Sequence, residues 1–156
     1  MIFIRVRSWK CRVGRNTPLA QFSLVHFANY RNMNILVIED DHMLRRALGH
    51  YLLDIGHTVS ACSNGQEALE LVKENRNIDV IIVDVLMPVL SGASFILMLK
   101  RLFPQGLPRV IIISAVREGE DFVKNLDIPF DHYIQKPIDF EELGEVVHNW
   151  DKLKAG

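Results

Sequence analysis

Asp84 ends an apolar run, Asp79-Val80-Ile81-Ile82-Val83-Asp84, and is followed by Val85-Leu86-Met87-Pro88. A carboxylate at the tip of a buried strand, just before a proline turn, is placed to react with something outside the sheet. Glu39 and Asp40 follow a second apolar run, Ile35-Leu36-Val37-Ile38. Ser114 follows a third, Val110-Ile111-Ile112-Ile113, and Lys136 stands between Tyr133-Ile134-Gln135 and Pro137. An acid pair, an aspartate, a hydroxyl and a lysine at four strand ends suit phosphoryl transfer to Asp84. A carboxylate is a poor nucleophile toward a phosphoryl group because two anions repel, and Mg2+ offsets that charge and aligns the attack. Mg2+ takes a few carboxylate oxygens and keeps several waters. Glu39, Asp40 and Asp84 can supply those oxygens. Lys136 is a point charge that can pair with Asp84 and then hold a phosphoryl oxygen, and Ser114 offers a donor to the same group. Each residue alone has a plainer reading. Asp84 could be a turn residue, Glu39-Asp40-Asp41 a set of caps with Asp41 the best placed, and Ser114 a cap. Lys136-Pro137 could be loop punctuation and Tyr133 a half-buried strand aromatic. Their matched positions on one sheet edge favour the joint reading.

Five strand–helix units would position these residues. The predicted strands cover 34–38, 58–62, 80–83, 109–113 and 132–134. A helix over 42–55 carries Leu44, Leu48, Leu52 and Ile55 on one face, and Gly56 stops it. Asn64 caps a helix through Lys73, Ser91 a helix over 93–103 that Pro104 ends, and a weaker helix covers 118–125. Asp139, with Glu142 three residues on, begins the last helix, whose apolar stripe is Phe140, Leu143, Val147 and Trp150. Apolar, β-branched strands alternating with helices predict an α/β fold: a doubly wound, five-stranded parallel sheet with helices on both faces. In such sheets ligand chemistry collects at the carboxyl ends of the strands, where all the residues above fall.

With the elements in order, the chain resembles the receiver domain of two-component response regulators, a flavodoxin-like fold, over about 33–153. The motifs are Val37-Ile38-Glu39-Asp40-Asp41, Asp84-x-x-Met87-Pro88 with Gly92 beyond, Ser114-Ala115, and Tyr133-x-x-Lys136-Pro137. Thirty residues separate Asp84 from Ser114, and 22 separate Ser114 from Lys136. The resemblance implies a single-domain phosphoacceptor. Asp84 takes a phosphoryl group from the phosphohistidine of a sensor histidine kinase or histidine phosphotransfer protein, and partner affinity changes in response. It implies a Mg2+ site from Asp40, Asp84 and the backbone carbonyl of Leu86, with Glu39 closer to a supporting role and Asp41 outside. It also implies a cis Lys136-Pro137 bond, and Ser114 with Tyr133 as the switch pair, Tyr133 moving inward as Ser114 shifts toward phosphate. Such a protein is a signalling switch and not a turnover enzyme. The chain departs from the family pattern at Leu86 and Val116, whose side chains cannot orient a water at the acyl phosphate, and at Asp127-Ile128-Pro129-Phe130-Asp131, which replaces smaller residues. The fourth helix should be short or mobile, which obscures the output face, where a dimer or an unknown downstream protein would bind.

The composition agrees with this reading. The chain has 156 residues, 49% hydrophobic and 24% charged, enough for one domain with a core. Residues 1–32 carry six basic residues and no Asp or Glu, which leaves the remainder with a net charge of −7. That remainder argues against nucleic acid as the main partner. The segment 1–32 reads as a basic N-terminal extension. Its composition has a faint likeness to a transit peptide, and the plainer reading is a stretch translated from an upstream start, Met33 being a natural beginning. Two cysteines, Cys11 and Cys62, lack metal spacing and fit a reducing, cytoplasmic setting, with Cys62 in the core. No apolar run is long enough to span a membrane. The six histidines form no cluster along the chain, and His42 and His50 read as solvated. The segment Phe95-Ile96-Leu97-Met98-Leu99 reads as mostly buried helix, with a partner groove the minor alternative. The main alternative is a phosphorylation-independent interaction module of the same shape. A phosphatase with an aspartyl intermediate would want an Asp where Leu86 stands. A flavin site would not place three acids after the first strand.

Overall fold

The computed structural model describes residues 31–116 and 119–148. The chain alternates strands and helices: β1 (Asn34–Ile38), α1 (His42–Asp54), β2 (Thr58–Cys62), α2 (Gly65–Glu74), β3 (Val80–Asp84), α3 (Gly92–Leu102), β4 (Arg109–Ser114), α4 (Gly119–Lys124), β5 (His132–Gln135) and α5 (Phe140–His148). The strands form one parallel sheet in the order β2-β1-β3-β4-β5. This is the doubly wound arrangement expected, with each strand within one residue of its predicted span. The expected arm lies, apart from Arg31 and Asn32, outside the described residues, as do Trp150 and the end of the expected domain.

Alternation along the strands divides the core in two. Leu36, Ile38, Ile81, Val83, Val110 and Ile112 face a cluster completed by α2, α3 and α4, including Phe95, Ile96 and Leu99. Ile35, Val37, Val80, Ile82, Ile111, Ile113 and Ile134 face the other, completed by Leu48 and Leu52 of α1 and Leu143 and Val147 of α5. Phe95, Ile96 and Leu99 are buried, as the mostly buried reading of this stretch had it, and Leu97 and Met98 are exposed on the outer side of α3. They follow two buried residues on a helix whose apolar stripe is only partly core-facing. Cys62 is buried in the first cluster, and burial pushes its thiol up to about 12.

The caps are local. Asp41 accepts from the amide of Leu44 at 2.7 Å, Asn64 from those of Gln66 and Glu67 at 3.0 Å, and Ser91 from that of Ser94 at 3.2 Å. Asp139 accepts from the amides of Glu141 at 2.8 Å and Glu142 at 3.3 Å. The α4 helix has six residues, as short as its weak periodicity suggested. Before β5, Asp127 takes φ 51°, Ile128 is buried, and Asp131 accepts from the amide of Val110 at 2.8 Å. The unusual segment there is thus part of the packing.

Two histidines that lie far apart in the sequence meet in the fold. His57, just before β2, and His148, at the end of α5, meet Nε2 to Nε2 at 3.0 Å. They are 91 residues apart, so only the fold brings them together. The amide of Met33 donates to His57 Nδ1 at 3.4 Å, which places the His57 proton on Nε2, facing His148. Burial, and then the His148 charge, lower the His57 pKa to about 4, and burial lowers that of His148. Both rings are therefore favoured neutral in the folded protein. Their contribution is complete above the unfolded value near 6.5 and is lost as pH falls from there toward 4, because the unfolded chain binds protons first. Between pH 7.5 and 5 the wild type should lose roughly 1–2 kcal/mol of stability from His57. Urea unfolding at the two pH values checks this, and His57→Gln should show a smaller pH dependence.

Candidate functional site

The parallel register brings the β1 and β3 ends together, with Ile38 beside Val83. Glu39 and Asp84 therefore leave adjacent strands side by side. Asp84 pairs in register with Ile113 of β4, and Ser114, the next residue, pairs with Gln135 of β5. Lys136 follows directly, and its amide donates to Ser114 O at 2.8 Å. The Lys136-Pro137 peptide is cis.

Glu39 is wholly buried, Asp84 and Ser114 are buried, and Asp40 is exposed. Lys136 reaches into this group. Its Nζ contacts Asp84 Oδ2 and lies 2.8 Å from Glu39 Oε2. Asp84 Oδ1 accepts from the amide of Leu86 at 2.9 Å, and Glu39 Oε1 from that of Asp41 at 3.2 Å. Burial raises the Glu39 pKa, against the lowering effect of Lys136. Burial alone would lower that of Lys136, but its bonds to Asp84 and Glu39 outweigh this and the value is raised. The ammonium thus stays charged between two buried carboxylates.

Glu39, Asp40 and Asp84 each offer an oxygen, and the three lie within 4.8 Å of one another. Glu39 Oε2 has the Lys136 ammonium near it but no well-angled hydrogen bond. Three carboxylates against one ammonium leave excess negative charge. The donors are all oxygen and one wall is open to solvent through Asp40, so the group fits a hard divalent cation that keeps part of its water. Asp41 lies outside, spent on the α1 cap. Ser114 Oγ accepts from the amide of Val116 at 3.2 Å. Tyr133, half-buried on β5, donates its hydroxyl to Gln135 Oε1 at 2.7 Å. Leu86 exposes 57% of its surface beside Asp84, so its side chain offers the site no polar group.

Two supporting residues were missed in the sequence. Arg45 donates from Nη1 to the carbonyls of Glu39 at 2.6 Å and Asp40 at 3.1 Å, which fixes the loop that carries both acids. An arginine in the first turn of a helix, five and six residues after the acids, was the available signal. Gly92 was noted only for its spacing. A Cβ there would lie 2.0 Å from Asp84 O and 2.8 Å from Val83 Cγ2. The α3 start therefore packs directly on the backbone of Asp84.

The family model for the response regulator receiver domain matches residues 35–148. The chain belongs to that family. It is a receiver domain of two-component systems. It is 34% identical over 111 residues, 71% of its length, to a cyclic di-GMP phosphodiesterase of Thermotoga maritima, of which it covers 29%. The chain spans 29–55% of the length of the curated relatives it matches. Among solved structures, a receiver domain of a Francisella response regulator superposes with TM-score 0.64 at 32% identity, covering 72% of this receiver and 90% of that chain. A Saccharomyces cerevisiae receiver domain, co-crystallised with a histidine phosphotransfer protein, shares the fold at TM-score 0.68 and 21% identity, over 82% and 94% of the two chains. No helix among the described residues is long and apolar enough to cross a membrane.

Gly92→Ala should destabilise this receiver by about 1–3 kcal/mol, since the clash is with backbone and cannot be relieved by a rotamer. The shift of the urea midpoint measures it.

Proposed function

We propose that this receiver accepts a phosphoryl group on Asp84 from a phosphohistidine, with Mg2+ bound, and changes its affinity for protein partners in consequence. The observation that carries the reading is the buried Asp84 carboxylate in contact with Lys136, with oxygens of Glu39 and Asp40 close enough to share a cation with it. In the transfer, a carboxylate oxygen of Asp84 forms the new bond to phosphorus, and the phosphorus–nitrogen bond of the donor breaks. Lys136 gives up its contact with Asp84 and holds a phosphoryl oxygen, and Ser114 donates its hydroxyl proton to another. Mg2+, when bound, neutralises the incoming charge; Asp40, Asp84 and the Leu86 carbonyl would hold it, with Glu39 in support. The donor is a sensor histidine kinase or a histidine phosphotransfer protein, the latter supported by the yeast receiver's recorded complex. The chain works in the cytoplasm as a switch that Tyr133 and Ser114 report, not as a turnover enzyme, and an output partner binds on the α4–β5–α5 side.

The test is incubation with acetyl phosphate and Mg2+, read by intact mass. Wild type should gain one phosphoryl group, Asp84→Asn none, and chelation of Mg2+ should abolish the gain. Lys136→Ala should slow labelling by about tenfold or more, having lost the charge aimed at the transferring group. No gain in wild type would return the chain to the phosphorylation-independent module.

Loss of the phosphoryl group should be slow. Leu86 and Val116 are apolar where a side chain could otherwise orient the attacking water. Leu86→Asn should speed the decay of labelled protein roughly two- to tenfold, the gain expected from one positioned polar group. An unchanged decay rate would count against the idea.

A further inference from the structure

Gln135 ends β5 one residue before Lys136, and its exposed side chain makes two hydrogen bonds in opposite directions. Its Oε1 accepts from the Tyr133 hydroxyl at 2.7 Å, and its Nε2 donates to the Val116 carbonyl at 3.2 Å. The Val116 amide in turn donates to Ser114 Oγ at 3.2 Å. A set of hydrogen bonds thus links the buried hydroxyl beside the acceptor pocket, through the backbone of Val116 in the β4–α4 loop, to the aromatic of β5. An amide side chain can serve both ends because it carries an acceptor and a donor on one rigid plane.

We propose that Gln135 is a positioning residue that holds Tyr133 in its unphosphorylated placement and ties that placement to the loop after Ser114. The proposal rests on the reading of Asp84 as phosphoacceptor. Lys136 contacts Asp84 directly in this arrangement, which marks it as the resting one. When Ser114 moves toward a phosphoryl group, Val116 follows through its amide. The two links of Val116, at 3.2 Å, sit at the long end of the hydrogen-bond range and have little slack. The Val116–Gln135 bond breaks first, and Gln135 with the Tyr133 hydroxyl is released from the loop. The tie is solvent-exposed and water competes for both partners, so it biases the switch by a modest factor and does not lock it.

The test uses the full chain labelled with 3-fluorotyrosine and read by fluorine NMR. The three tyrosines give three resonances, and the one lost in Tyr133→Phe is Tyr133. Wild type is titrated with beryllofluoride and Mg2+, and thermal stabilisation reports occupancy independently. The Tyr133 resonance should move as the site fills. In Gln135→Leu, which removes both bonds, the ligand-free resonance should already be displaced toward the filled position. Half-saturation should then need about two- to tenfold less beryllofluoride, the range one modest hydrogen bond supplies. Gln135→Glu keeps an acceptor for Tyr133 but loses the donor to Val116. Its ligand-free resonance and its half-saturation should both move in the same direction as in Gln135→Leu, but by less. A Gln135→Leu protein with wild-type resonance and wild-type half-saturation overturns the proposal. Stabilisation of wild type without movement of Tyr133 overturns it while leaving the acceptor reading intact. Absence of stabilisation overturns the acceptor reading itself, and the proposal with it.

Discussion

Two buried carboxylates facing one ammonium are the constraint around which this molecule is arranged. Burying Glu39 and Asp84 is costly, and Lys136 offsets only part of that cost. The sheet alone can hold the three so close. Adjacent parallel strands β1 and β3 deliver the acids from neighbouring ends, and β5 delivers the lysine from two strands away. Every apolar position beneath them, from Leu36 to Ile113, is closed by a helix on one face or the other. Such packing makes the strand ends a fixed frame. The charge left over after Lys136 is paired belongs to an oxygen-lined opening beside Asp40.

The same frame explains why glycine stands at 92 and arginine at 45. The start of α3 lies against the backbone of Asp84, where a methyl group would collide. Arg45 draws the carbonyls of Glu39 and Asp40 toward α1 and so sets where their side chains leave the chain. Each restricts the backbone that carries the acids, and so narrows where their carboxylates can lie.

Much of this was legible from period and punctuation. The buried strands are short apolar runs rich in Val and Ile, and the capping residues Asn64, Ser91 and Asp139 mark helix starts with local bonds, so sequence separation hardly enters. The site was legible for a related reason: a parallel sheet collects strand ends on one edge, so residues far apart in number become neighbours by rule. Contacts that no rule collects stayed hidden. His57 and His148 lie at loop and helix ends outside any motif, and their meeting depends on how α5 crosses the sheet. Arg45 and Gln135 donate to main-chain carbonyls, so the sequence shows the donor and its spacing but not the partner it meets. Which members of the run 95–99 turn outward stayed open, because an apolar run within a helix does not state it; Leu97 and Met98 do.

Rigidity below and adjustable hydrogen bonds above divide the molecule between two tasks. Motion of the strands themselves would break two closely packed clusters, since Ile111, Ile112 and Ile113 have almost no exposed surface. A change driven from Asp84 would therefore fall beyond the last paired residues, at Ala115 and Val116 after β4 and at the end of β5. Among the described residues, the loop after Ser114 is joined to the end of β5 by the Val116–Gln135 bond, and α4 reaches the core through Val123. A charge arriving at Asp84 would meet a frame that does not yield and an edge that does, and the direction of the response follows from that contrast.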